Sequence, residues 1–295
     1  MSQLRPAGMV CPIATPLTDD EGLDVAAYRR LLDRIVPHLD GVLVLGSTGE
    51  FALLEEAVAQ RAVEVTVDHV AGRVPIYVGI GDTGTRRVLS KLPFLKEVGA
   101  DYALVCSHFY YAVASDQALL DHYLTVADAS PVPVLIYNIT QNTHVNTPPH
   151  IMARLAKHPN VVGMKDSWGD MFQFQEFLRL QSDTFSVFQG REQLAASALW
   201  LGADGVVSAL LNFAPEMLRR LAEQIAAGDH GSARETQLAI NQLATLFDQG
   251  FWISALKVVL HRLGYGSERV AAPLPACSAV QKHNILRILA EAGIV

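Results

Sequence analysis

The feature that most constrains this chain is a repeated alternation of short apolar runs with longer amphipathic stretches. Several runs show little polar alternation, which is typical of parallel strands buried on both faces. Eight such runs occur, at 9–15, 41–46, 75–80, 101–106, 133–138, 160–165, 185–190 and 204–209. Between them, apolar residues recur every three or four positions, which predicts helices. The predicted helices are 25–39, 53–70, 85–99, 116–129, 174–181 and 215–228.

Eight strand–helix units predict an α/β fold in which the parallel strands close into a (β/α)8 TIM barrel. An open doubly wound sheet is the alternative. From residue 229 onward the helical pattern continues without strands between the helices. We therefore predict a barrel over residues 1–228 and a C-terminal helical segment over residues 229–295 that packs on the barrel.

Composition limits the class of protein. The 295 residues are 50% hydrophobic and carry a formal net charge of -7, with no basic stripe of the kind that binds nucleic acid. Three widely spaced cysteines, Cys11, Cys106 and Cys277, argue against a disulfide framework or a cysteine zinc site. Residues 1–17 lack the long apolar run that is typical of a signal peptide, and no apolar run of about 18 residues occurs in the sequence. We expect a soluble, cytoplasmic protein that binds neither nucleic acid nor a membrane.

The segment GIGDTG at 79–84 fits a glycine-rich dinucleotide-binding pattern. That pattern normally follows the first strand of its fold, whereas this one follows the third predicted strand. A glycine-rich loop after a strand is ordinary in a barrel, so a nicotinamide-dependent enzyme is only a minor alternative.

Polar residues at the ends of the predicted strands are the candidates for chemistry, because barrel enzymes build their sites there. Tyr137 and Lys165 end two neighbouring strands and are predicted to lie at one height, facing one cavity. A neutral lysine amine attacks ketones and aldehydes to form a Schiff base. A phenol can move the protons that this chemistry requires. The Ser47-Thr48 turn offers hydroxyl and backbone N–H groups for a carboxylate.

Each of these residues also has a structural interpretation. A lysine after a strand is more often a side chain that reaches solvent, and a tyrosine there is more often packing. GSTGE at 46–50 could be a strand-to-helix turn with a glutamate at the start of a helix. Lys165, however, is the only one of six lysines that falls in an apolar strand pattern. The three features together favour a catalytic site.

GSTGE, the Tyr110-Tyr111 pair, YN at 137–138 and GMKDS at 163–167 together resemble the dihydrodipicolinate synthase / N-acetylneuraminate lyase family over nearly the whole chain. The resemblance implies a TIM barrel with a helical C-terminal segment, usually assembled as a homotetramer, a dimer of dimers. It implies a class I enzyme that binds pyruvate or another 2-oxo acid as a covalent imine and needs no cofactor.

The resemblance also implies roles for individual residues. Lys165 would be the Schiff-base lysine and Tyr137 the proton-transfer residue. Ser47 and Thr48 would hold the carboxylate of the 2-oxo acid, and Thr48 would join a proton relay. Tyr111 would complete that relay in the site of a neighbouring subunit.

Further positions bear on the second substrate. Gly190 and Val207 match positions that line the pocket, and His144 is a candidate contact for the distal end of the substrate. In the synthase, an arginine that binds the second substrate's carboxylate stands where this chain has Asn142. An amide cannot supply that charged, bidentate contact. HPNVVGMKDSWGD and LKVVLHRLGYG resemble the 4-hydroxy-2-oxoglutarate aldolase and 2-keto-3-deoxy sugar acid branches.

The predicted function is therefore a metal-independent carbon–carbon or carbon–oxygen lyase. It would cleave a hydroxylated 2-oxo acid reversibly to release pyruvate, or dehydrate such an acid. The alternative is the synthase reaction, in which pyruvate condenses with aspartate semialdehyde. A non-catalytic protein that binds a 2-oxo acid is the alternative from another class. A metal site built on His108, His144 and His150 is disfavoured, because no HxH or HExxH pattern occurs.

Overall fold

Eight parallel strands form a closed barrel in the order in which they occur along the chain. The computed structural model describes residues 5–111 and 115–295. The strands are β1 (Gly8–Pro12), β2 (Gly41–Val44), β3 (Ile76–Gly79), β4 (Tyr102–Cys106), β5 (Val134–Asn138), β6 (Val161–Asp166), β7 (Ser186–Gln189) and β8 (Gly205–Val207). The predicted fold class is confirmed, and an open sheet is excluded.

Each predicted apolar run overlaps one strand, and burial explains why the runs lack alternation. Every residue of β2, β3, β4, β5, β7 and β8 is buried, so neither face of these strands needs polar side chains. The last strand ends earlier than predicted. There the Ser208 hydroxyl accepts a hydrogen bond from Leu210 N at 3.2 Å, and a short 3-10 helix over Ala209–Asn212 follows.

Helices follow the strands. They are α1 (Val25–Ile35), α2 (Glu56–Val70), α3 (Thr85–Leu89), α4 (Leu92–Val98), α5 (Asp116–Ala129), α6 (Thr140–Thr143), α7 (Pro149–Leu155), α8 (Met171–Leu178), α9 (Ala195–Trp200), α10 (Pro215–Ala226), α11 (His230–Ala244), α12 (Trp252–Arg262) and α13 (Ala279–Glu291). The single helix predicted over 85–99 is two helices, α3 and α4. Pro93 cannot donate a backbone hydrogen bond, so it is placed in the first turn of a new helix.

The chain forms two compact units. One holds residues up to Gly8 together with Pro75–Val207, which include β3 to β8. The other holds Met9–Val74 and Ser208–Val295, and so contains β2, α1, α2 and all helices from α10 to α13. The predicted helical segment is present at the C-terminus, as helices α11, α12 and α13. The predicted domain boundary at residue 228 stays a prediction.

In the described part of the chain, no single helix is both long and apolar enough to cross a membrane. One bent pair, His230–Gln249 with Trp252–Arg262, meets the length and composition criteria together, with an angle of 108° between its parts.

Candidate active site

Lys165 and Tyr137 lie side by side at the carboxyl ends of β6 and β5. The parallel register pairs Tyr137 directly with Lys165, as the sequence predicted. Both residues are buried, each with 5% of its surface exposed. The Lys165 Nζ atom lies 4.1 Å from the centroid of the Tyr137 ring, which is within the range of a cation–π contact. An amine and an aromatic ring that carries a hydroxyl therefore share one small buried space.

The described surroundings of Lys165 leave its amine without an ion pair. In the described part of its own compact unit, no carboxylate forms an ion pair with Nζ. Once the amine is deprotonated, its lone pair is not committed to a salt bridge and can attack a carbonyl carbon.

Gly190, directly after β7, gives the lysine the space it occupies. A Cβ atom at this position would lie 3.0 Å from Lys165 Cε and 2.9 Å from the Asp166 carbonyl oxygen. The backbone is held close by a hydrogen bond of 2.7 Å from Gly190 N to that same carbonyl. A side chain here would collide first with the Ser167 hydroxyl and the Asp166 carbonyl, and would also crowd the lysine. Val207, at the end of β8, is buried and 5% exposed.

Asn138 and Asp166, which follow Tyr137 and Lys165 directly, lock the two strands in register. Asn138 Nδ2 donates to Asp166 Oδ1 at 2.7 Å, and the Asn138 carbonyl accepts from Ser167 N at 2.9 Å. Asn138 Oδ1 accepts from Thr147 N at 3.0 Å, which ties down the loop after β5. Sequence reasoning missed this pair. Its only signal was a polar residue after each candidate catalytic residue.

Asp166 is a buried carboxyl group that forms no ion pair with any described cation. Burial raises its pKa to about 6, while the hydrogen bond from Asn138 acts in the opposite direction. Its second oxygen, Oδ2, has no hydrogen-bond partner among the described residues. The negative charge of this group is therefore poorly compensated one residue away from the lysine amine.

The Ser47-Thr48 turn lies in the other compact unit, after β2. Ser47–Gly49 form a single 3-10 turn in which Gly49 N and Glu50 N donate to Gly46 O and Ser47 O. The helix α2 begins only at Glu56, so the alternative interpretation of GSTGE as a turn with a glutamate at the start of a helix is wrong. The N–H groups of Gly49 and Glu50 are used internally, so Ser47 and Thr48 are the residues of this turn that can offer polar groups to a ligand. Thr48 is buried and Ser47 is half-buried.

Glu50 does not start a helix but belongs to a buried ion pair. Its Oε2 lies 2.8 Å from Lys257 Nζ of α12, and its Oε1 accepts from Ala271 N at 2.8 Å. Lys257 also donates to the carbonyl oxygens of Thr15 and Arg269, at 2.5 and 2.9 Å. Sequence reasoning assigned no role to Lys257. The signal it overlooked is that Lys257 is the one charged residue in the stretch 253–260 of α12.

The remaining predicted site residues, Tyr111, Asn142 and His144, are exposed. Tyr111 is 75% exposed, and its ring packs edge to face against Tyr110 with centroids 4.9 Å apart. Asn142 lies in the short helix α6 and His144 directly after it in a left-handed conformation, both exposed. The structure thus brings Tyr137 and Gly190 close to Lys165. It leaves Tyr111, Asn142 and His144 at the surface of this chain.

The histidines considered for a metal site have other surroundings. His150 Nε2 lies 2.7 Å from Asp116 Oδ2 at the surface, and the His108 ring packs against His122. Within residues 5–111 and 115–295, no group of three or more His, Cys, Asp or Glu side chains is arranged to hold a metal ion.

Comparison with known proteins places the chain. The model of the dihydrodipicolinate synthetase family matches residues 5–292. A 4-hydroxy-tetrahydrodipicolinate synthase from Syntrophus aciditrophicus (strain SB) is 32% identical over 292 residues, which cover 98% of this chain and 99% of the relative.

Solved structures agree with this placement. YagE, a prophage protein of the dihydrodipicolinic acid synthase family from E. coli K12 in complex with pyruvate, superposes with a TM-score of 0.93 at 26% identity. The chloride-inhibited dihydrodipicolinate synthase from Acinetobacter baumannii complexed with pyruvate gives the same values. In both cases the match covers 98% of this chain and 99% of the other. The predicted leaning toward the aldolase branch finds no support in these names, which fit the synthase at least as well. The chain belongs to the dihydrodipicolinate synthetase family.

Proposed function

We propose that this protein is a class I lyase that binds pyruvate as a Schiff base on Lys165. The observation that carries the proposal is the buried Lys165 amine 4.1 Å from the Tyr137 ring, with no carboxylate paired to it among the described residues of its unit. The two solved structures described above contain pyruvate, which supports pyruvate as the small-molecule partner.

The chemistry requires an amine and a route for protons. The neutral Lys165 amine attacks the ketone carbon of pyruvate and gives a carbinolamine, whose hydroxyl leaves as water after it is protonated. Tyr137 is the group that delivers and accepts these protons. In this proposal Thr48 and the Tyr111 of a neighbouring subunit relay protons to Tyr137, and Ser47 and Thr48 bind the pyruvate carboxylate. The product is a protonated imine, with one water molecule released.

The imine is an electron sink and therefore serves several reactions. When the neighbouring carbon loses a proton, or when a carbon–carbon bond to it breaks, the imine accepts the electron pair and becomes an enamine. Condensation with aspartate semialdehyde is supported by the names of the relatives. Cleavage of a hydroxylated 2-oxo acid, or its dehydration, is supported by Asn142, which cannot replace a carboxylate-binding arginine. Neither reaction requires a metal or a cofactor.

Borohydride trapping tests the common step. The protein is incubated with pyruvate, reduced and digested, and the modified lysine is located by mass spectrometry. We expect the adduct on Lys165 alone, although Lys257 is also buried. If no lysine is trapped by pyruvate or a close 2-oxo acid, the Schiff-base mechanism fails.

A substrate panel then separates the candidate reactions. Wild-type protein is assayed with pyruvate plus aspartate semialdehyde and, separately, with hydroxylated 2-oxo acids in the cleavage direction. Trapping without turnover of any of them would instead support a non-catalytic protein that binds 2-oxo acids. Retained turnover in the presence of EDTA would support a metal-independent reaction.

The proposed assembly is a homotetramer in the cytoplasm. It rests on the resemblance and on the role proposed for Tyr111, which is exposed on this chain. Size-exclusion chromatography with light scattering tests it, and a fully active monomer would contradict the proposed relay through a partner subunit.

A further inference from the structure

Arg191, which lies just beyond the strand β7, is a half-buried arginine for which the described residues supply no counterion. Within the described residues only two other arginines are half-buried, Arg34 and Arg219. Each of those has a carboxylate: Arg34 Nη2 lies 2.7 Å from Glu216, and Arg219 Nη2 lies 3.0 Å from Asp40. No described carboxylate forms an ion pair with Arg191. A partly desolvated charge is normally compensated, so Arg191 has the electrostatic character of a binding group whose anion is supplied from outside the chain.

The guanidinium group is nevertheless fixed in position. Its Nε donates to the carbonyl oxygen of Ser167 at 2.8 Å, and the backbone N of Arg191 donates to Gln189 Oε1 at 2.9 Å. Gln141 Nε2 donates to the same Ser167 carbonyl at 3.1 Å. The described residues offer no hydrogen-bond acceptor to the two terminal nitrogens, Nη1 and Nη2. Asp166 acts on Arg191 only from a distance, and Arg191 is the weakest of the influences on the pKa of Asp166.

The position of Arg191 connects it to the lysine. It follows Gly190, whose Cβ would lie 3.0 Å from Lys165 Cε, and it is bonded to Ser167, two residues after Lys165. Through Gln141 it also adjoins the loop after β5, where Asn142 stands. A fixed guanidinium, whose two terminal NH2 groups have no partner among the described residues, therefore lies at the same end of the strands as the amine.

We propose that Arg191 binds the distal carboxylate of the substrate, the one that pyruvate lacks. The inference rests on the proposed function, because it takes the Lys165 imine as the reacting end. Asn142 has no charge to offer, whereas two parallel N–H groups match the geometry of a carboxylate. The substrate class is then a 2-oxo acid with a carboxylate at its far end, so that cleavage yields pyruvate and a carboxylate-bearing aldehyde. A neutral polyol aldehyde is excluded as the preferred second substrate.

The test compares two probes that differ at one end. The first, 2-oxoglutarate, and the second, 2-oxopentanoate, share a five-carbon chain, and a carboxylate in the first replaces the terminal methyl of the second. In calorimetric titration of the wild-type protein, the dissociation constant of 2-oxoglutarate is expected to be roughly 10- to 100-fold lower than that of 2-oxopentanoate. This is the size of effect expected from hydrogen bonds to a charged group. Arg191→Met should abolish the preference. Arg191→Lys should keep only part of the preference, because lysine retains the positive charge but lacks the paired N–H groups of the guanidinium. Arg34→Met, a half-buried arginine that already has its carboxylate, should leave it unchanged.

Failure of this inference differs from failure of the proposed function. Equal binding of the two probes by the wild type, or a preference that survives in Arg191→Met, would overturn the role of Arg191. Trapping of Lys165 by pyruvate should be unchanged in Arg191→Met, because pyruvate has no distal carboxylate. If pyruvate traps no lysine in the wild type while Arg191→Met still abolishes the 2-oxoglutarate preference, the Schiff base is wrong and the carboxylate site stands.

Discussion

Lys165 and Lys257 are both buried, at 5% and 1% exposure, yet their surroundings are opposite. Lys257 lies on a helix and contacts a carboxylate and two backbone carbonyls. Lys165 lies at the end of a strand against the ring of Tyr137, and the described residues of its unit give it no carboxylate. Burial lowers the pKa of Lys257, and Glu50 acts in the opposite direction.

The difference shows that burial alone does not make a lysine a nucleophile. An amine held by three acceptors is committed to structure, since reaction would leave a buried carboxylate without its cation. Reaction of the Lys165 amine, which lies against the Tyr137 ring, would leave no described carboxylate of its unit without a cation. The same contrast holds for the carboxyl groups, because Glu50 pairs with the Lys257 cation, whereas the described hydrogen bonds to the Asp166 carboxyl group come from the Asn138 amide and the Trp168 backbone.

The largest expected effect separates the two lysines directly. Lys165→Ala should abolish turnover without altering the fold, because the substrate loses its covalent attachment. Steady-state assays and circular dichroism would be measured on the same preparation. Appreciable residual turnover would show that Lys165 is not the nucleophile.

Tyr137→Phe tests the phenol that distinguishes the surroundings of Lys165. The rate should fall by roughly 10²–10⁴, the usual contribution of acid–base catalysis, while the ring keeps its packing. Single-turnover trapping with pyruvate would show whether imine formation itself is slowed. An unchanged rate would make Tyr137 a packing residue.

Lys257→Met tests whether the second lysine is structural. It leaves Glu50 charged and buried, so the free energy of unfolding should fall by about 3–5 kcal/mol in urea titrations. The double variant Glu50→Gln with Lys257→Met should recover much of this loss, because no unpaired charge remains. A loss of about 1 kcal/mol or less, as for an exposed ion pair, would contradict the burial seen here.

Asp166→Asn gives the smallest effect, and it depends on pH. The raised pKa of about 6 means that the folded protein binds the proton more tightly than the unfolded chain does. Wild-type stability should therefore decrease as pH rises between about 4 and 6, by an amount on the order of 2 to 3 kcal/mol at most. The Asn variant lacks this decrease. Urea unfolding of both proteins at pH 4.5 and 7.5 would show the difference. If the free energy of unfolding changed with pH equally in both proteins, Asp166 would not be the source of the decrease.

The sequence itself determined the barrel and its most prominent pair. Short apolar runs without alternation predict strands covered on both faces, and a lysine and a tyrosine at the ends of neighbouring strands must meet when parallel strands pair in register. The split of one predicted helix at Pro93 could also have been foreseen, because the reason is local.

Tertiary structure alone decided the partners of the charged groups. Lys257 is buried because eight consecutive residues of α12, Ile253 to Leu260, are covered, and the sequence of a helix does not say what covers it. Glu50 and Lys257 are separated by more than 200 residues along the chain, as their numbers show. Arg191 is notable only because no carboxylate in the described part of the chain pairs with it. Local patterns fix where a chain is apolar, whereas the compensation of a charge depends on groups that only folding brings within a few ångströms.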